Sequence, residues 1–235
     1  MPELPEVETL CRQLRKRILN AEILDLLILD KKLGSPEKPV GRRVRSVKRR
    51  GKHVDIGLDD GRTLGLHLRM SGRLLWQRRD DEAPAHTRFQ ILFATGRLIC
   101  IDPRRFATLR YCDGKNTAAP VANPLRRFSA PALRDAARRR TLPVKSFLLD
   151  QKTIAGIGNI YACEMLHGAA VSPWRRACDL SVEEWRRVAG AGDRILRRAT
   201  ACRGTSISDW HDLQGKKGTY QSHLDVYGRA GLRSL

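Results

Sequence analysis

The sequence predicts an α+β protein in which one helix precedes a set of antiparallel strands and a helical domain follows. Three patterns in the sequence predict this class. Apolar residues recur at helical spacing near the N-terminus, alternate with a period of two up to about residue 112, and return to helical spacing in the second half. A chain of 235 residues can bury the core of one domain or of two.

The first predicted helix lies in the opening segment, MPELPEVETL and the residues that follow. Its apolar face consists of Val7, Leu10, Cys11, Leu14 and Ile18. Proline at position 2 suits the first helical position, because its missing N–H would have no partner there. Glutamate in a first turn favours the positive end of the helix dipole. Taken alone, the opening indicates an ordinary helix start.

Strand patterns come next. Apolar and other residues alternate in HVDIGL and TLGLHL, and the turn signal DDG lies between them. RFQILF and RLICI repeat this design around ATG. The region up to about residue 112 is therefore predicted to be an antiparallel sandwich or barrel.

The segment 113–133 is rich in Ala, Pro and Asn and is interpreted as a linker. Beyond it, SVEEW has the form of a capping box, with Ser181 as N-cap and Glu184 three residues later. The buried face of the helix that follows is predicted to contain Trp185, Val188, Ile195 and Leu196.

The charge balance points to a polyanionic partner. The chain has 45 Lys and Arg against 25 Asp and Glu, a net charge of +20, which most often indicates nucleic acid. An anionic membrane surface is the competing partner, but no apolar run is long enough to span a bilayer. No N-terminal apolar signal region follows a basic start. We therefore expect a cytoplasmic, nucleoid-associated protein without a membrane contact.

The cysteine spacing argues against a structural zinc site. No two of the cysteines have the separation of two to four residues that paired zinc ligands require. In a cytosolic chain such residues are expected to be small buried apolar groups. The six cysteines are Cys11, Cys100, Cys112, Cys163, Cys178 and Cys202.

Three further segments can carry chemistry. In KTIAGIGNIYACEML a helix is predicted to begin near Asn159, after two glycines, and this start is either a phosphate clamp or a plain packing joint. In DPRRF, Arg104 and Phe106 share a face if the strand continues, and Phe106 is either core or a residue that enters a base stack. In VKRRGKHV, Lys52 stands among three other cations, which would lower its pKa; phosphate contact is the alternative.

Seven motifs together resemble one family. PELPEVET, RRGKHV, HLRMSG, HTR, DPRRF, KSFLLDQKTIAGIGNIYACE and YQSHLDVYGR occur in this order. They resemble the formamidopyrimidine-DNA glycosylases, the relatives of endonuclease VIII, from Pro2 to about Arg229. The resemblance implies a β-sandwich and a helical domain with a helix–two-turn–helix, with double-stranded DNA in the cleft between them. It also implies a monomer.

The resemblance gives the opening motif a catalytic interpretation. It implies that Met1 is removed and that the secondary amine of Pro2 attacks the sugar C1′, so that the damaged base leaves and a Schiff base forms. Glu3 then resembles the carboxylate that assists ring opening and proton transfer. Glu6 would support the reacting sugar, and Lys52 would contact the lesion and donate a proton during elimination.

The same match implies a set of DNA-binding residues. Three of them, Met70, Arg104 and Phe106, would fill the gap left by a flipped nucleotide, and Tyr220 lies in a loop that would cap an extruded base. The full set is His67, Met70, His86, Arg104, Phe106, Arg140, Lys145, Asn159 and Tyr220.

The chain also departs from the family pattern. Family members continue after YGR into a zinc finger with two C-x-x-C pairs, whereas this sequence stops at Leu235, so we expect no zinc and no other cofactor. The arginine that the finger supplies for the second elimination is also missing. Arg69 stands where glycine is usual, and the segment LDKKLGSPEKPVG is short.

These features lead to a domain division and a functional hypothesis. We expect a catalytic sandwich over 1–112, a linker over 113–133, a helical DNA-binding domain over 134–225 and a stub over 226–235. PELPEVET resembles the branch that removes oxidised purines, namely 8-oxoguanine and formamidopyrimidines, with lyase activity at abasic sites. The alternatives are a shortened or weakened form of this enzyme, a DNA-binding remnant without turnover, an oxidised-pyrimidine glycosylase, and a basic RNA-associated protein.

Overall fold

The structure, a computed structural model, describes residues 1–34, 37–113, 124–125, 128–207 and 209–231. Within these ranges strands fill the N-terminal half and helices the C-terminal half, which confirms the predicted α+β class. The strands are β1 (Asp25–Ile28), β2 (Val44–Arg50), β3 (His53–Leu58), β4 (Arg62–His67), β5 (Arg73–Gln77), β6 (Thr87–Phe93), β7 (Gly96–Ile101) and β8 (Thr108–Asp113). The helices are α1 (Leu4–Ile18), α2 (Ala130–Ala137), α3 (Val144–Leu149), α4 (Asn159–Gly168) and α5 (Val182–Ala201).

Helix α1 has the predicted apolar face, and all five predicted positions are fully buried. Its start differs in one respect from the sequence interpretation. Glu3 is the N-cap and forms a capping box with Glu6, while the proline of the first turn is Pro5. Pro2 therefore lies before the helix, where its backbone nitrogen takes no part in the helical hydrogen-bond pattern.

The strands form two four-stranded antiparallel sheets, in the orders β1-β6-β7-β5 and β2-β3-β4-β8. Side chains of both sheets and of α1 contribute to one apolar core. The architecture is thus a sandwich, and both predicted hairpins, β3–β4 and β6–β7, are present. Strand β7 ends at Ile101, so DPRRF forms a turn and does not continue the strand.

The helical half has its own core, and its first helix begins earlier than expected. Helix α2 starts at Ala130, inside the segment 113–133 that was interpreted as a linker, and Leu133 is buried in the core. Proline in the first turn of α2 is compatible with a helix, although the composition of this stretch is typical of a loop. Residues 114–123 and 126–127 of the segment, and 232–235 of the expected stub, lie outside the described residues.

Helix α5 begins as predicted. Ser181 accepts a hydrogen bond from the N–H of Glu184, whose carboxylate accepts one from the N–H of Ser181. The predicted apolar face of α5 is buried.

The two halves exchange side chains across their boundary. Leu4 at the start of α1 packs in the helical core, whereas Trp210 and Leu213 pack in the core of the sandwich. The backbone N–H of Trp76 in β5 also donates to the carbonyl of Leu213. These contacts hold the sandwich and the helical half together.

All six cysteines are free thiols, and their burial differs from the expectation. Cys11 and Cys100 are buried as predicted, three others are half-buried, and Cys112 is exposed near the end of β8, an edge strand of its sheet. In the parts of the chain that the structure describes, no helix combines the length and apolar character needed to cross a membrane.

Candidate active site

The N-terminus lies in a pocket between the two halves of the molecule. Pro2 is buried while Met1 is 49% exposed. The pocket walls come from α1, from the turn after β4, from α4 and from the segment after α5. They are formed by Met1, Pro2, Glu6, Met70, Ser71, Gly72, Ile160, Thr205, Ile207, Asp209 and Trp210. A segment from each half therefore contributes to the surroundings of Pro2.

The carboxylate of Glu3 caps the start of α4. The N–H of Gly158 donates to Oε2 at 2.7 Å, and the N–H of Ile160 donates to Oε1 at 3.1 Å. A helix N-terminus favours a negative charge. Burial opposes that charge more strongly and raises the pKa of Glu3 to about 7, against the attraction of Lys52. Glu3 therefore changes its protonation state near neutral pH.

These contacts describe how the start of α4 is capped. The helix begins at Asn159, as predicted. Its N-cap is Gly158, which has no side chain to accept a hydrogen bond from the first turn. Two of its first N–H groups are used by Glu3. The glycine-rich approach thus brings the backbone close to a carboxylate of the protein itself, which leaves less of the helix start for a phosphate.

Lys52 lies beside Glu3 and is 7% exposed. Burial lowers its pKa, and the negative charges of Glu3 and Glu6 oppose this shift. The sequence interpretation ascribed a lowered pKa to neighbouring cations, whereas desolvation is the largest cause. A Cβ atom at Gly158 would lie 2.4 Å from Cδ of Glu3 and 2.7 Å from Nζ of Lys52, so both side chains converge on this glycine.

Glu6 is fully engaged in hydrogen bonds within the protein. Its Oε1 accepts from the hydroxyl of Tyr161 at 2.6 Å and from the N–H of Thr205 at 2.8 Å, and its Oε2 accepts from the N–H of Glu3 at 2.8 Å. Burial raises its pKa. Glu6 thus joins three segments around Pro2, in addition to forming a wall of the pocket.

Asp102 connects the turn after β4, which carries Met70, to the turn after β7, which carries Arg104 and Phe106. Its carboxylate accepts from the Ser71 hydroxyl at 2.6 Å and from the N–H groups of Phe106 and Ala107. Burial opposes its ionisation, but these hydrogen bonds outweigh burial and lower its pKa. Two turns of the candidate DNA-binding surface are therefore fixed by one buried carboxylate.

The exposed side chains of these two turns fit the gap-filling expectation. Met70 is 47% exposed and Phe106 is 39% exposed, so neither is a core residue. The guanidinium of Arg104 stacks over the ring of Phe106 at 4.8 Å from its centroid. Arg104 and Phe106 therefore share a face, as the sequence indicated, although the backbone there is a turn.

His67 is half-buried and packs edge-on against His53, with ring centroids 4.4 Å apart. Burial lowers its pKa to about 3, so its ring is neutral at pH 7. The N–H of Arg69 donates to its Nδ1 at 2.9 Å, which assigns the ring proton to Nε2. His67 can therefore act as a neutral donor at this edge.

The remaining predicted contacts lie at different depths. His86, Asn159 and Arg140 are exposed, and Nη2 of Arg140 lies 3.9 Å from Oδ2 of Asp150. Lys145 is half-buried at the start of α3. Tyr220 is only 3% exposed and packs against Tyr161 and His223. The structure thus places Tyr220 in the helical core and not on the surface of a loop over the pocket.

Three residues around the site escaped the sequence analysis. Tyr161 and Thr205 hold Glu6, and Asp102 holds the two turns. Tyr161 lies within KTIAGIGNIYACEML and Asp102 begins DPRRF, so both were near recognised motifs. Their partners lie far away in sequence, and no local pattern signals such contacts.

The described residues do not fit a zinc site. Among them, no group of three or more His, Cys, Asp and Glu side chains could hold a metal ion. The cysteines lie on separate elements.

Comparison with known proteins identifies the family of both halves. The sequence profile of the formamidopyrimidine-DNA glycosylase N-terminal domain matches residues 1–109. The profile of the formamidopyrimidine-DNA glycosylase H2TH domain matches residues 120–211, which confirms the predicted helix–two-turn–helix.

Whole-chain relatives agree with these matches. The chain is 38% identical to a formamidopyrimidine-DNA glycosylase of Chloroflexus aggregans, over 98% of this chain and 89% of that protein. It is 39% identical to a protein of the same name from Gluconobacter oxydans, over 99% of this chain and 90% of that protein.

Solved structures share the fold. The MutM (Fpg) protein of Thermus thermophilus superposes with a TM-score of 0.87 at 34% identity, over 98% of this chain and 89% of that chain. A complex between Lactococcus lactis Fpg and DNA containing an abasic site has a TM-score of 0.86 at 29% identity, over 97% of this chain and 89% of that chain. Since both halves match profiles of one family and the whole chain matches its members, the chain belongs to the formamidopyrimidine-DNA glycosylase family.

Proposed function

We propose that this protein is a bifunctional DNA glycosylase and abasic-site lyase of base excision repair, with Pro2 as its nucleophile. The observation that carries the proposal is the position of Pro2 in the pocket between the two halves, beside three buried ionisable side chains. Met1 is exposed, which suits its removal, and this step converts the Pro2 nitrogen from an amide to a secondary amine. An α-amine titrates near pH 8, so part of it is neutral and nucleophilic at pH 7.

The reaction follows from this amine. The neutral nitrogen of Pro2 attacks C1′ of the sugar, the bond between C1′ and the base breaks, and the base leaves with a proton. Opening of the sugar ring then breaks the bond between C1′ and O4′, O4′ takes up a proton, and an iminium ion forms. Its positive charge acidifies the C2′ proton, so that loss of this proton expels the 3′ phosphate.

Glu3 fits the role of the acid for O4′. Its raised pKa, about 7, keeps much of it protonated at neutral pH. An ordinary carboxyl group at this pH would be almost fully ionised. Its hydrogen bonds hold the carboxyl group at the start of α4, where Ile160 lines the pocket that contains Pro2.

Lys52 and Glu6 support the same chemistry. The lowered pKa of Lys52 eases the transfer of a proton to a leaving group during elimination. Glu6, held by Tyr161 and Thr205, orients the first turn of α1 and, through it, Pro2 and Glu3.

The proposed substrates are oxidised purines in double-stranded DNA, with 8-oxoguanine and formamidopyrimidines as the principal lesions. Relatives at 36–39% identity carry the name formamidopyrimidine-DNA glycosylase. The exposed Met70, Arg104 and Phe106 would occupy the space of a nucleotide turned into the pocket.

Borohydride trapping tests the proposal. The purified chain, shown by mass spectrometry to lack Met1, is incubated with abasic-site duplex at low salt and reduced. We expect a covalent adduct on Pro2 and strand cleavage without added metal. A control form with one additional residue before Pro2, whose nitrogen is then an amide, should bind the duplex without forming the adduct. Binding with a steep salt dependence but no adduct by the processed chain would leave only the DNA-binding alternative.

A further inference from the structure

The turn that carries Met70 also carries an arginine in a strained conformation. Arg69 has a φ of 54°, in the left-handed region that residues with a side chain rarely adopt. The turn cannot relax easily, because the N–H of Gly72 donates to the carbonyl of Leu68 and the Ser71 hydroxyl donates to Asp102. Glycine would fit this position without strain.

Other arginines in the same conformation have protein partners. Arg105 has a φ of 57° and donates to the buried carboxylate of Asp30. Arg203 has a φ of 59° and donates to the carbonyl of Lys217. In the described part of the chain, by contrast, the guanidinium of Arg69 has no hydrogen-bond, ion-pair or ring partner, and the residue is exposed.

The position of Arg69 gives its charge a place beside the pocket. The next three residues, Met70, Ser71 and Gly72, line the pocket that contains Pro2. Burial is the main cause of the low pKa of His67, and the positive charges of His53, Arg69 and Lys52 contribute to it. His67 and His53 are neutral at pH 7, and Lys52 is buried. Arg69 therefore provides an exposed permanent charge in the turn beside the pocket.

We propose that Arg69 is a DNA-binding residue whose guanidinium holds a backbone phosphate next to the nucleotide in the pocket. A guanidinium binds phosphate oxygens through two parallel N–H donors, which suits a fixed turn at the rim of a cleft. The inference rests on the proposed function, since it requires a DNA strand across this edge. It assigns to Arg69 a role in affinity and not in bond breaking.

The test separates backbone strain from charge. Arg69→Gly removes both, Arg69→Lys keeps the charge, and Ala170→Gly relieves a similar φ of 52° at an exposed position without altering charge. Arg186→Gln removes an exposed charge that pairs with Glu183 on α5. Each full chain without Met1 is titrated with a duplex containing a tetrahydrofuran abasic-site analogue, over a range of salt concentrations, and its Tm is measured.

We expect Arg69→Gly to raise the Tm while weakening binding about tenfold at 0.1 M salt, and to reduce the salt slope by about one. Ala170→Gly should raise the Tm with unchanged binding. Arg186→Gln should keep the salt slope of the parent, and Arg69→Lys should retain most of that slope. Unchanged affinity and slope in Arg69→Gly would overturn the inference.

The parent protein separates this inference from the proposed function. If the parent binds the duplex, Arg69→Gly weakens that binding as expected, and the parent forms no borohydride adduct, the enzymatic proposal alone is contradicted. If the parent forms the adduct but Arg69→Gly binds the duplex as the parent does, this inference alone is contradicted. A parent that does not bind the duplex contradicts both.

Discussion

The hydroxyl of Tyr161 donates a 2.6 Å hydrogen bond to Oε1 of Glu6, and the two residues are 155 positions apart in the chain. This contact joins the first turn of α1 to α4 beneath the pocket of Pro2. Thr205 completes it, because its hydroxyl lies 3.0 Å from the Tyr161 oxygen and its N–H donates to Glu6. The phenol is buried and its pKa is raised far above the ordinary value by burial and by Glu6, so it stays a donor.

Tyr161→Phe should therefore destabilise the protein and slow base release. A hydrogen bond to a charged group contributes about 1.5–3 kcal/mol. We expect a loss of this size in the free energy of unfolding, measured with urea, and slower single-turnover kinetics on lesion-containing DNA. Tyr220→Phe is the control, since no partner for the Tyr220 hydroxyl occurs among the described residues, although the ring is buried. Equal losses in the two variants would argue against the role of the Glu6 contact.

Gly158→Ala should impair catalysis by displacing two side chains. The new Cβ would lie 2.4 Å from Cδ of Glu3 and 2.7 Å from Nζ of Lys52, closer than atoms pack. A displacement of about 1 Å costs about a hundredfold in rate, and we expect a loss of that order in single-turnover strand cleavage, which follows ring opening and elimination.

Gly190→Ala provides the matched control. Gly190 lies within α5, and its added Cβ would meet no atom within 4 Å. Alanine at such a helical position should stabilise the protein by about 0.5–1 kcal/mol and leave activity unchanged. Similar activities for the two glycine variants would contradict the close packing of Glu3 and Lys52.

Glu3 should make stability depend on pH between about 4.5 and 7. Its pKa in the folded protein, about 7, is above the ordinary value of 4.5, so the folded state binds the proton more tightly. This contribution to stability is fully present below about pH 4.5 and is lost as the pH rises through 7. Relative to Glu3→Gln, the parent should lose up to about 3 kcal/mol of unfolding free energy between pH 4.5 and 8.

Urea unfolding at several pH values measures this difference. Glu183→Gln on the exposed surface of α5 is the control for the loss of a carboxylate. A parent and a Glu3→Gln variant with parallel pH profiles would show that Glu3 has an ordinary pKa. Formation of the borohydride-trapped adduct by the parent should also decline above about pH 7, because the protonated carboxyl group is the proposed acid for O4′ in the ring opening that yields the iminium ion.

Met70→Ala and Phe106→Ala should weaken activity without weakening the fold. Met70 and Phe106 are 47% and 39% exposed, so truncation removes little packing, and we expect changes in unfolding free energy within about 0.5 kcal/mol. Cleavage of duplex DNA with a lesion should fall by about tenfold or more, because a flipped nucleotide leaves an unfilled gap.

Val182→Ala is the control for exposed apolar truncation. Val182 is 39% exposed in the first turn of α5, the same fraction as Phe106. It should retain the parent activity. If the Met70 and Phe106 variants cleave lesion DNA as fast as the Val182 variant, the two side chains do not fill a gap.

Local patterns predicted much of the fold. The apolar face of α1, the hairpins β3–β4 and β6–β7, and the capping box of α5 follow from residues within one or two turns of each other. Such features depend on side-chain periodicity and turn chemistry, which a sequence displays directly. The seven ordered motifs added the family, which the comparisons confirmed.

Where the prediction differed from the structure, long-range packing decided the outcome. Tyr220 was expected over the pocket, but its ring fits the space beside Tyr161 in the helical core. The linker composition of 113–133 concealed the start of α2, because burial of Leu133 against the helical core outweighs local propensity.

The sequence by itself determined which residue types stand at the N-terminus and in the motifs, and therefore which chemistry the chain can attempt. Only the tertiary structure decided their ionisation and neighbours. Glu3 meets the start of α4 across 155 residues of chain, and burial there, which no local pattern encodes, raises its pKa to about 7. Desolvation depends on everything packed around a group, so it exists only once both halves of the molecule have closed on the amino terminus.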